Sequence, residues 1–215
     1  MFLLFLPIMT ISPQLINTVL EEKMSRISEV LLGSVQPFEL MMGKLAGSGA
    51  VSSVLALLYM SGAYAAAAYF GVADAVTGTM LAAFVVYLVL AMFLFGALYI
   101  SVGAACTNLK DAQSLVTPLM LITIVPLFTW MMVLRAPDST ASVLLSLFPP
   151  ATPFLMLLRI SVSPGPPLWQ VILSVVLTAA TTIGVIWAAG RIFRVGLLMQ
   201  GKTPSFAELL RWVRA

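Results

Sequence analysis

Histidine is absent from the sequence, and cysteine occurs once, at Cys106. Without histidine, the serine side chains have no imidazole base to activate them, which excludes the usual hydrolase sites. A single cysteine excludes an internal disulfide framework and a cysteine-based zinc site. We therefore expect no catalytic, metal or cofactor site in this chain.

Charged residues are scarce as well. They make up 9% of the chain, against about 25% in an ordinary soluble domain, while 61% of the residues are hydrophobic. Uncharged runs cover residues 1–20, 45–73, 75–109, 112–134, 139–158 and 160–190. Because a helix needs roughly 20 apolar residues to cross a bilayer core, the composition predicts an all-α, polytopic membrane protein. The net charge of +3 lies in short loops, which is typical of membrane topology and not of a nucleic-acid-binding surface.

Five membrane spans are predicted within one domain, 1–215. They cover residues 1–17, 44–70, 79–105, 114–134 and 168–190. The first span has no basic residues at its start and no small-residue cleavage pattern, so it is not a signal peptide.

A sixth apolar segment, 142–160, is interrupted by Pro149, Pro150 and Pro153, which break helix continuity. Basic residues collect on the cytoplasmic side of a membrane protein, so the loop charges decide whether this segment crosses. If it dips in and returns, nine basic residues share one side and two, Arg135 and Arg159, share the other. If it crosses, the division is five against six. The nine are Lys23, Arg26, Lys44, Lys110, Arg191, Arg194, Lys202, Arg211 and Arg214.

We therefore predict a re-entrant element on the outer face, in a multi-pass protein of a prokaryotic cell membrane. Backbone that is not helical at membrane depth must be covered by protein or water, so the element should pack against helices or line a pathway. Pro149, Pro153 and Arg159 are the candidate pathway or gate residues. For Arg159 two interpretations stay open: a gate residue, or an anchor that extends to the membrane surface.

The segment 19–42 concentrates the charge of the chain near its start. Leu20, Met24, Ile27 and Leu31 recur at helical spacing and predict an amphipathic helix over 19–32. Gly33 suits its C-terminal end, and Pro37 suits the first turn of the next helix. The polar face holds more glutamate than basic residues, which favours docking of a protein partner over a simple membrane anchor, although both remain open. This segment should lie on the cytoplasmic surface.

The tail, 191–215, is also predicted to be cytoplasmic. Ser205-x-x-Glu208 is a helix-capping pattern, and the basic, amphipathic residues that follow predict an interfacial helix.

Several patterns together carry a family resemblance. E-E-K-x-x-R-x-x-E-x-L-L is followed by S-x-x-P-F-E-L-M-x-G-K, then by "NLKDAQSL", "FPPATPFLMLLRI" and "RIFRVGLLMQGKTPSFAELLRW". In this order the chain resembles the permease subunits of ABC-2-type exporters, most closely the sodium-exporter, NatB-like branch. Members usually have one earlier span and an extracytoplasmic domain. The resemblance therefore implies that this chain is the C-terminal part of a longer permease, or one whose start is missing.

The resemblance also implies a partner and its docking residues. In that family the segment corresponding to 21–32 is a coupling helix, which inserts into a cleft of a separate ABC ATPase subunit. Glu21, Glu22, Arg26 and Glu29 would contact the ATPase, and Leu31 and Leu32 would pack beneath. ATP and Mg²⁺ would be bound on that partner, and the permease would act as a dimer with a second copy or a paralogue in the lipid bilayer.

Two other functions, an intramembrane protease and a secondary transporter or channel, share features with this sequence. The motif Glu21-Glu22-x-x-x-Arg26 also matches the first motif of CAAX-type intramembrane proteases, but those need histidines that this chain lacks. A secondary transporter or channel not driven by ATP remains the alternative. Such proteins commonly place ionisable residues inside the membrane, whereas the predicted spans have them only at their ends. No phosphate-binding loop surrounds Gly43-Lys44 or Gly201-Lys202.

Overall fold

The structure, a computed structural model, describes residues 1–25 and 34–198, together with Glu208 and Trp212. Eight α-helices and no strand lie within residues 1–25 and 34–198, which confirms the all-α prediction. They are α1 (Phe2–Ile11), α2 (Gln14–Met24), α3 (Pro37–Tyr69), α4 (Gly78–Ala105), α5 (Leu109–Arg135), α6 (Thr140–Leu147), α7 (Thr152–Ile160) and α8 (Leu168–Leu198).

Five segments of the described chain are long and apolar enough to span a membrane, as predicted. They are Phe2–Met24, Pro37–Tyr69, Gly78–Ala105, Leu109–Arg135 and Leu168–Leu197. Four of them are longer than the sequence predicts, because their helices continue past the apolar run into charged residues. The 33 residues of α3, for example, extend about 50 Å, more than the roughly 30 Å of a hydrocarbon core.

The direction of each helix follows from its contacts. Near their starts, α4 and α8 are joined by a hydrogen bond of 2.6 Å between the hydroxyls of Tyr87 and Ser174. Near their ends, the carbonyl oxygens of Ala104 and Gly196 bind one ammonium group, that of Lys23. The two helices therefore run parallel.

The directions of α2 and α3 can be inferred from their contacts in the same way. Ile16 of α2 lies against Gly103 near the end of α4, and Phe38 at the start of α3 lies against Gly190 near the end of α8. Thus α2 runs parallel to α4, and α3 runs antiparallel to both. We call the end that contains Lys23 and Lys44 the lysine end, and the opposite end, which contains Asp74 and Asp138, the aspartate end.

Residues 136–167 leave from and return to the aspartate end. The chain arrives there along α5, whose Val133 packs with Ala151 and Leu155, and it departs along α8, which starts at that end. Between them α6 and α7 form a short hairpin, and Phe154 of α7 reaches Phe95 in the middle of α4, with ring centroids 5.8 Å apart. A re-entrant element requires this arrangement: a segment that starts and finishes at the same end of the bundle and packs inward between them.

Helix α4 is the centre of the bundle. Sixteen of its 28 residues are buried, compared with four of 33 in α3 and five of 27 in α5. Lipid tails are as apolar as leucine, so helices in a bilayer associate through close packing and interhelical hydrogen bonds, with small residues at the contacts. Gly196 is such a contact: a Cβ atom built there would lie 2.5 Å from the carbonyl oxygen of Ala104.

Replacement of Gly196 by alanine tests this contact. The neighbouring atoms belong to the backbone of α4 and cannot move aside cheaply, so G196A should cost about 1–3 kcal/mol and lower the melting temperature of the purified protein by several degrees. The matched control is G184A on the same helix, where nothing lies within 4 Å of the added atom. Equal melting temperatures for the two variants would contradict close packing of α8 on α4.

Candidate functional site

Lys23 joins the ends of three helices. Its Nζ atom donates hydrogen bonds to the carbonyl oxygens of Ala104 at 2.9 Å, Cys106 at 3.0 Å and Gly196 at 2.6 Å. These use all three donors of the ammonium group. The last carbonyls of a helix have no partner within the helix and form the negative end of its dipole, so a cation is favourable there. Lys23 thereby attaches the end of α2 to the ends of α4 and α8.

The carbonyls converge because the backbones approach closely. A Cβ atom at Gly103 would lie 3.0 Å from the Cα atom of Ile16, and one at Gly196 would overlap the backbone of Ala104. Only a glycine allows either approach without displacement of a helix. The position of Lys23 therefore depends on Gly103 and Gly196.

The preceding residue, Glu22, attaches α2 to a further helix. Its carboxylate accepts a hydrogen bond from Lys44 Nζ on α3, and both side chains are partly buried. A partly buried pair is screened less than one on the surface, so it holds two helices more firmly. We call the set of Glu22, Lys23, Lys44 and the carbonyls of Ala104, Cys106 and Gly196 the lysine-end junction.

The predicted docking residues divide into two groups. Glu21 is exposed on α2, while the carboxylate of Glu22 is engaged by Lys44 inside the chain. The helix predicted over 19–32 is described only as far as Ser25, and its remaining part, 26–32, lies outside the described residues. Helix α2 begins at Gln14 and ends at Met24, where the Ser25 hydroxyl donates to the carbonyls of Glu21 and Glu22. Arg26, Glu29, Leu31 and Leu32 lie outside the described residues.

The predicted apolar stripe is also divided. Leu20 is buried in the core of the bundle, whereas Met24 is 65% exposed, so the two do not form one face against a membrane surface. The next helix begins as predicted: Pro37 occupies its first turn, and Gln36 and Glu39 form a reciprocal cap. The backbone N–H of Gln36 donates to the Glu39 carboxylate at 3.2 Å.

Cys106 follows α4 and is completely buried beside the junction. Burial, and then the negative charge of Asp111, raise the pKa of its thiol to about 11. The group is therefore a neutral thiol at physiological pH, and its backbone oxygen, not its sulfur, binds Lys23. This agrees with a packing role.

Helix α2 exposes a polar face although it belongs to a membrane-length segment. Gln14, Asn17, Thr18 and Glu21 recur at helical spacing and are all exposed. Beside this face a groove of about 260 Å³ separates α1 and α2 from α3. Ile11, Gln14, Leu15, Thr18, Lys44, Gly47, Ser48 and Val51 line it. Polar groups against lipid are costly, so a face of this kind meets water or another protein.

A second polar cluster lies at the aspartate end. The side chain of Arg159 is 1% exposed and donates to Ser146 Oγ at 2.9 Å and to Asp138 Oδ1 at 3.4 Å. It joins α7 to α6 and to the loop before α6. Because the guanidinium group is enclosed by the chain, the interpretation of Arg159 as an anchor extending to the membrane surface is wrong.

The two prolines take different positions around that cluster. Pro149 is partly buried in the turn between α6 and α7, and Pro153 is fully buried in the first turn of α7. The next residue, Phe154, packs in the core against Phe5, with ring centroids 5.4 Å apart. None of these distances places Pro149, Pro153 and Arg159 around one opening, so their role as a gate stays a prediction.

The five membrane-length helices, parallel and antiparallel around α4, define a multi-pass membrane protein whose basic residues collect at one end. The chain belongs to the ABC-2 family of transporter membrane proteins: the family described as "ABC-2 family transporter protein" matches residues 1–191.

Two curated proteins are similar over nearly the whole chain. The protein YhaP of Bacillus subtilis (strain 168), described as uncharacterized, is 26% identical over 227 residues, covering 100% of this chain and 54% of its own length. The protein MJ1024 of Methanocaldococcus jannaschii, also described as uncharacterized, is 26% identical over 210 residues, covering 98% and 51%. The chain thus spans about half the length of these relatives. No solved structure matches it.

Replacement of Lys23 by methionine tests the junction. K23M keeps much of the side-chain length but leaves three carbonyl oxygens without a donor, which should cost about 1–3 kcal/mol. The melting temperature should fall, and amide hydrogen exchange in the last turns of α4 and α8 should increase. The control K110M removes an exposed lysine at the same end and should be nearly neutral. The same response in both variants would show that Lys23 contributes only its charge.

A charge exchange tests the pair between α2 and α3. Glu22→Lys and Lys44→Glu should each lower the melting temperature, because each places like charges together in a partly buried position. The double variant E22K/K44E restores opposite charges and should recover most of the loss. Losses that simply add, without recovery, would mean that the two residues are not coupled.

Proposed function

We propose that this chain is the permease of an ATP-driven exporter of the sodium-exporter, NatB-like branch, and that a separate ABC ATPase drives it through the segment after Met24. The family match supports a permease. The observation that carries the coupling is the lysine-end junction, because the helix that leads into this segment is attached to three others.

The junction suits the transmission of force. A displacement of α2 at Met24 would be passed by Lys23 to α4 and α8, and by Glu22 to α3. Hydrogen bonds to a charged donor are stronger than neutral ones, so these attachments resist separation. An ATPase can drive such a rigid group between two states only if it binds the two states with different affinity.

Glu21 is the described residue best placed to contact the ATPase. It is exposed beside the junction, and its carboxylate has no partner among residues 1–25 and 34–198. Glu22, in contrast, would have to leave Lys44 in order to dock. ATP and Mg²⁺ belong, in this proposal, to the partner subunit, since the sequence has no phosphate-binding loop.

The polar face of α2 is the proposed wall of the substrate pathway. Its exposed amide and hydroxyl groups and the adjacent groove need water or protein opposite them. A second permease copy, or a paralogue, facing α2 would enclose a water-filled path between the two chains. The basic residues that collect at the lysine end support a cytoplasmic position for it, with residues 19–42 and the tail, in a prokaryotic cell.

Charge reversal at Glu21 tests the proposal. Glu21→Lys should weaken binding of the partner ABC ATPase by about fivefold to tenfold, because an interfacial attraction becomes a repulsion. The measurement is co-purification of the full-length complex and titration of the ATPase onto the permease. The control D74K makes the same reversal at an exposed site of the aspartate end.

Membrane insertion and melting temperature should be unchanged in both variants. Equal ATPase binding by E21K and D74K would remove Glu21 from the interface. Transport that continues without any ATPase would favour the secondary transporter instead.

A further inference from the structure

The outer surface of α8 changes in character towards the lysine end. Ile183, Trp187, Arg191 and Arg194 follow one another at helical spacing along this surface. Ile183 and Trp187 are 69% and 53% exposed, and Arg194 is exposed as well. Over about 16 Å the surface passes from aliphatic to aromatic to cationic. A phospholipid has the matching order of acyl chain, interfacial glycerol region and charged headgroup.

The aromatic and cationic parts of this surface are in direct contact. The guanidinium carbon of Arg191 lies 4.5 Å from the centroid of the Trp187 ring, a cation–π arrangement. Tryptophan is enriched where the hydrocarbon core meets the headgroups. Trp187 therefore marks the depth of that boundary, and Arg191 and Arg194 lie at the level of the headgroups.

Two clefts meet at Arg194. One, of about 400 Å³, is lined by Arg191, Arg194, Val195 and Trp212. The other, of about 370 Å³, is lined by Gln36, Pro37, Phe38, Gly190 and Arg194. The Phe38 ring lies against Gly190, where a Cβ atom would be 2.8 Å from its Cδ2 atom, so the floor of the second cleft is closed and apolar.

From this arrangement we infer a binding site for one anionic phospholipid, with its phosphate at Arg194 and its acyl chains along Ile183 and Trp187. The positive charge favours an anionic headgroup, and guanidinium groups match phosphate oxygens with paired hydrogen bonds. The apolar part of the surface lies within the membrane-length segment Leu168–Leu197, where a soluble protein cannot follow it. The site is separate from the polar face of α2 and independent of the proposed coupling.

Lipid retention measures this site directly. The full-length complex would be purified in detergent, mixed with phosphatidylglycerol or phosphatidylcholine, and analysed by native mass spectrometry. Arg194→Gln should reduce retained phosphatidylglycerol by about fivefold, the effect of one cation near an anionic leaflet, and should leave phosphatidylcholine unchanged. R194K, which keeps the charge, should retain most of the binding.

Arg135→Gln is the matched control, since it removes an exposed arginine at the aspartate end. It should leave phosphatidylglycerol binding unchanged, and both variants should keep the melting temperature of the parent protein. Competition by inorganic phosphate at millimolar concentration should be weak, because free phosphate lacks the acyl chains.

Three outcomes would overturn the site. Equal phosphatidylglycerol retention by R194Q and R135Q would show that Arg194 binds no lipid. Full displacement by inorganic phosphate would reduce it to an anion site. Loss of ATPase binding or of the permease dimer in R194Q, with lipid retention unchanged, would assign Arg194 to a protein interface. None of these lipid results depends on whether Glu21 docks the ATPase.

Discussion

The ammonium group of Lys23 is the interaction on which the lysine end of the bundle depends. It binds carbonyl oxygens near the described ends of α4 and α8, and those helices run side by side along their length. In a bilayer, the apolar surfaces of helices gain little free energy by leaving lipid. Interhelical hydrogen bonds and close packing therefore contribute more of the association. A charge shielded from water also interacts more strongly with helix dipoles than one on a surface. One side chain thus sets where three helices end relative to each other.

The glycines and the lysine act together. Close contacts at Gly103 and Gly196 bring α2 and α8 onto α4, which draws the terminal carbonyls into one small region of negative potential. Lys23 then neutralises that region, and Glu22 extends the attachment to Lys44 on α3. The helix pair that results, α4 with α8, is the rigid part of the fold. The exposed polar face of α2 lies on the outside of this rigid part, where it is free to face water.

Much of the fold could be predicted from the sequence because bilayer thickness and apolar run length are directly linked. The same link explains the errors in the bounds: an apolar run marks the hydrocarbon core, whereas Lys44 lies in a helix that continues beyond it. Lys23 could not be recognised as the centre of the junction, since its acceptors are backbone atoms 81 to 173 residues away and carry no residue signature. The only local signal was a lysine three positions after the end of the uncharged run 1–20. Arg159 was misread in one of two interpretations for a similar reason, because its partners Ser146 and Asp138 are brought to it by the turn at Pro149.

Different kinds of interaction therefore stabilise the two ends of the molecule. At the lysine end, a cation binds carbonyl oxygens near the ends of continuous spans and so joins long helices. At the aspartate end, Arg159 connects short elements: α6, α7 and a loop whose Asp138 is 70% exposed. An ion pair with one solvated partner contributes little stability, so burial holds this end together: seven of the nine residues of α7 are buried. If a partner drives the bundle from the lysine end, as proposed above, the movement must reach the aspartate end through packing contacts such as that of Phe154 in α7 with Phe95 in α4.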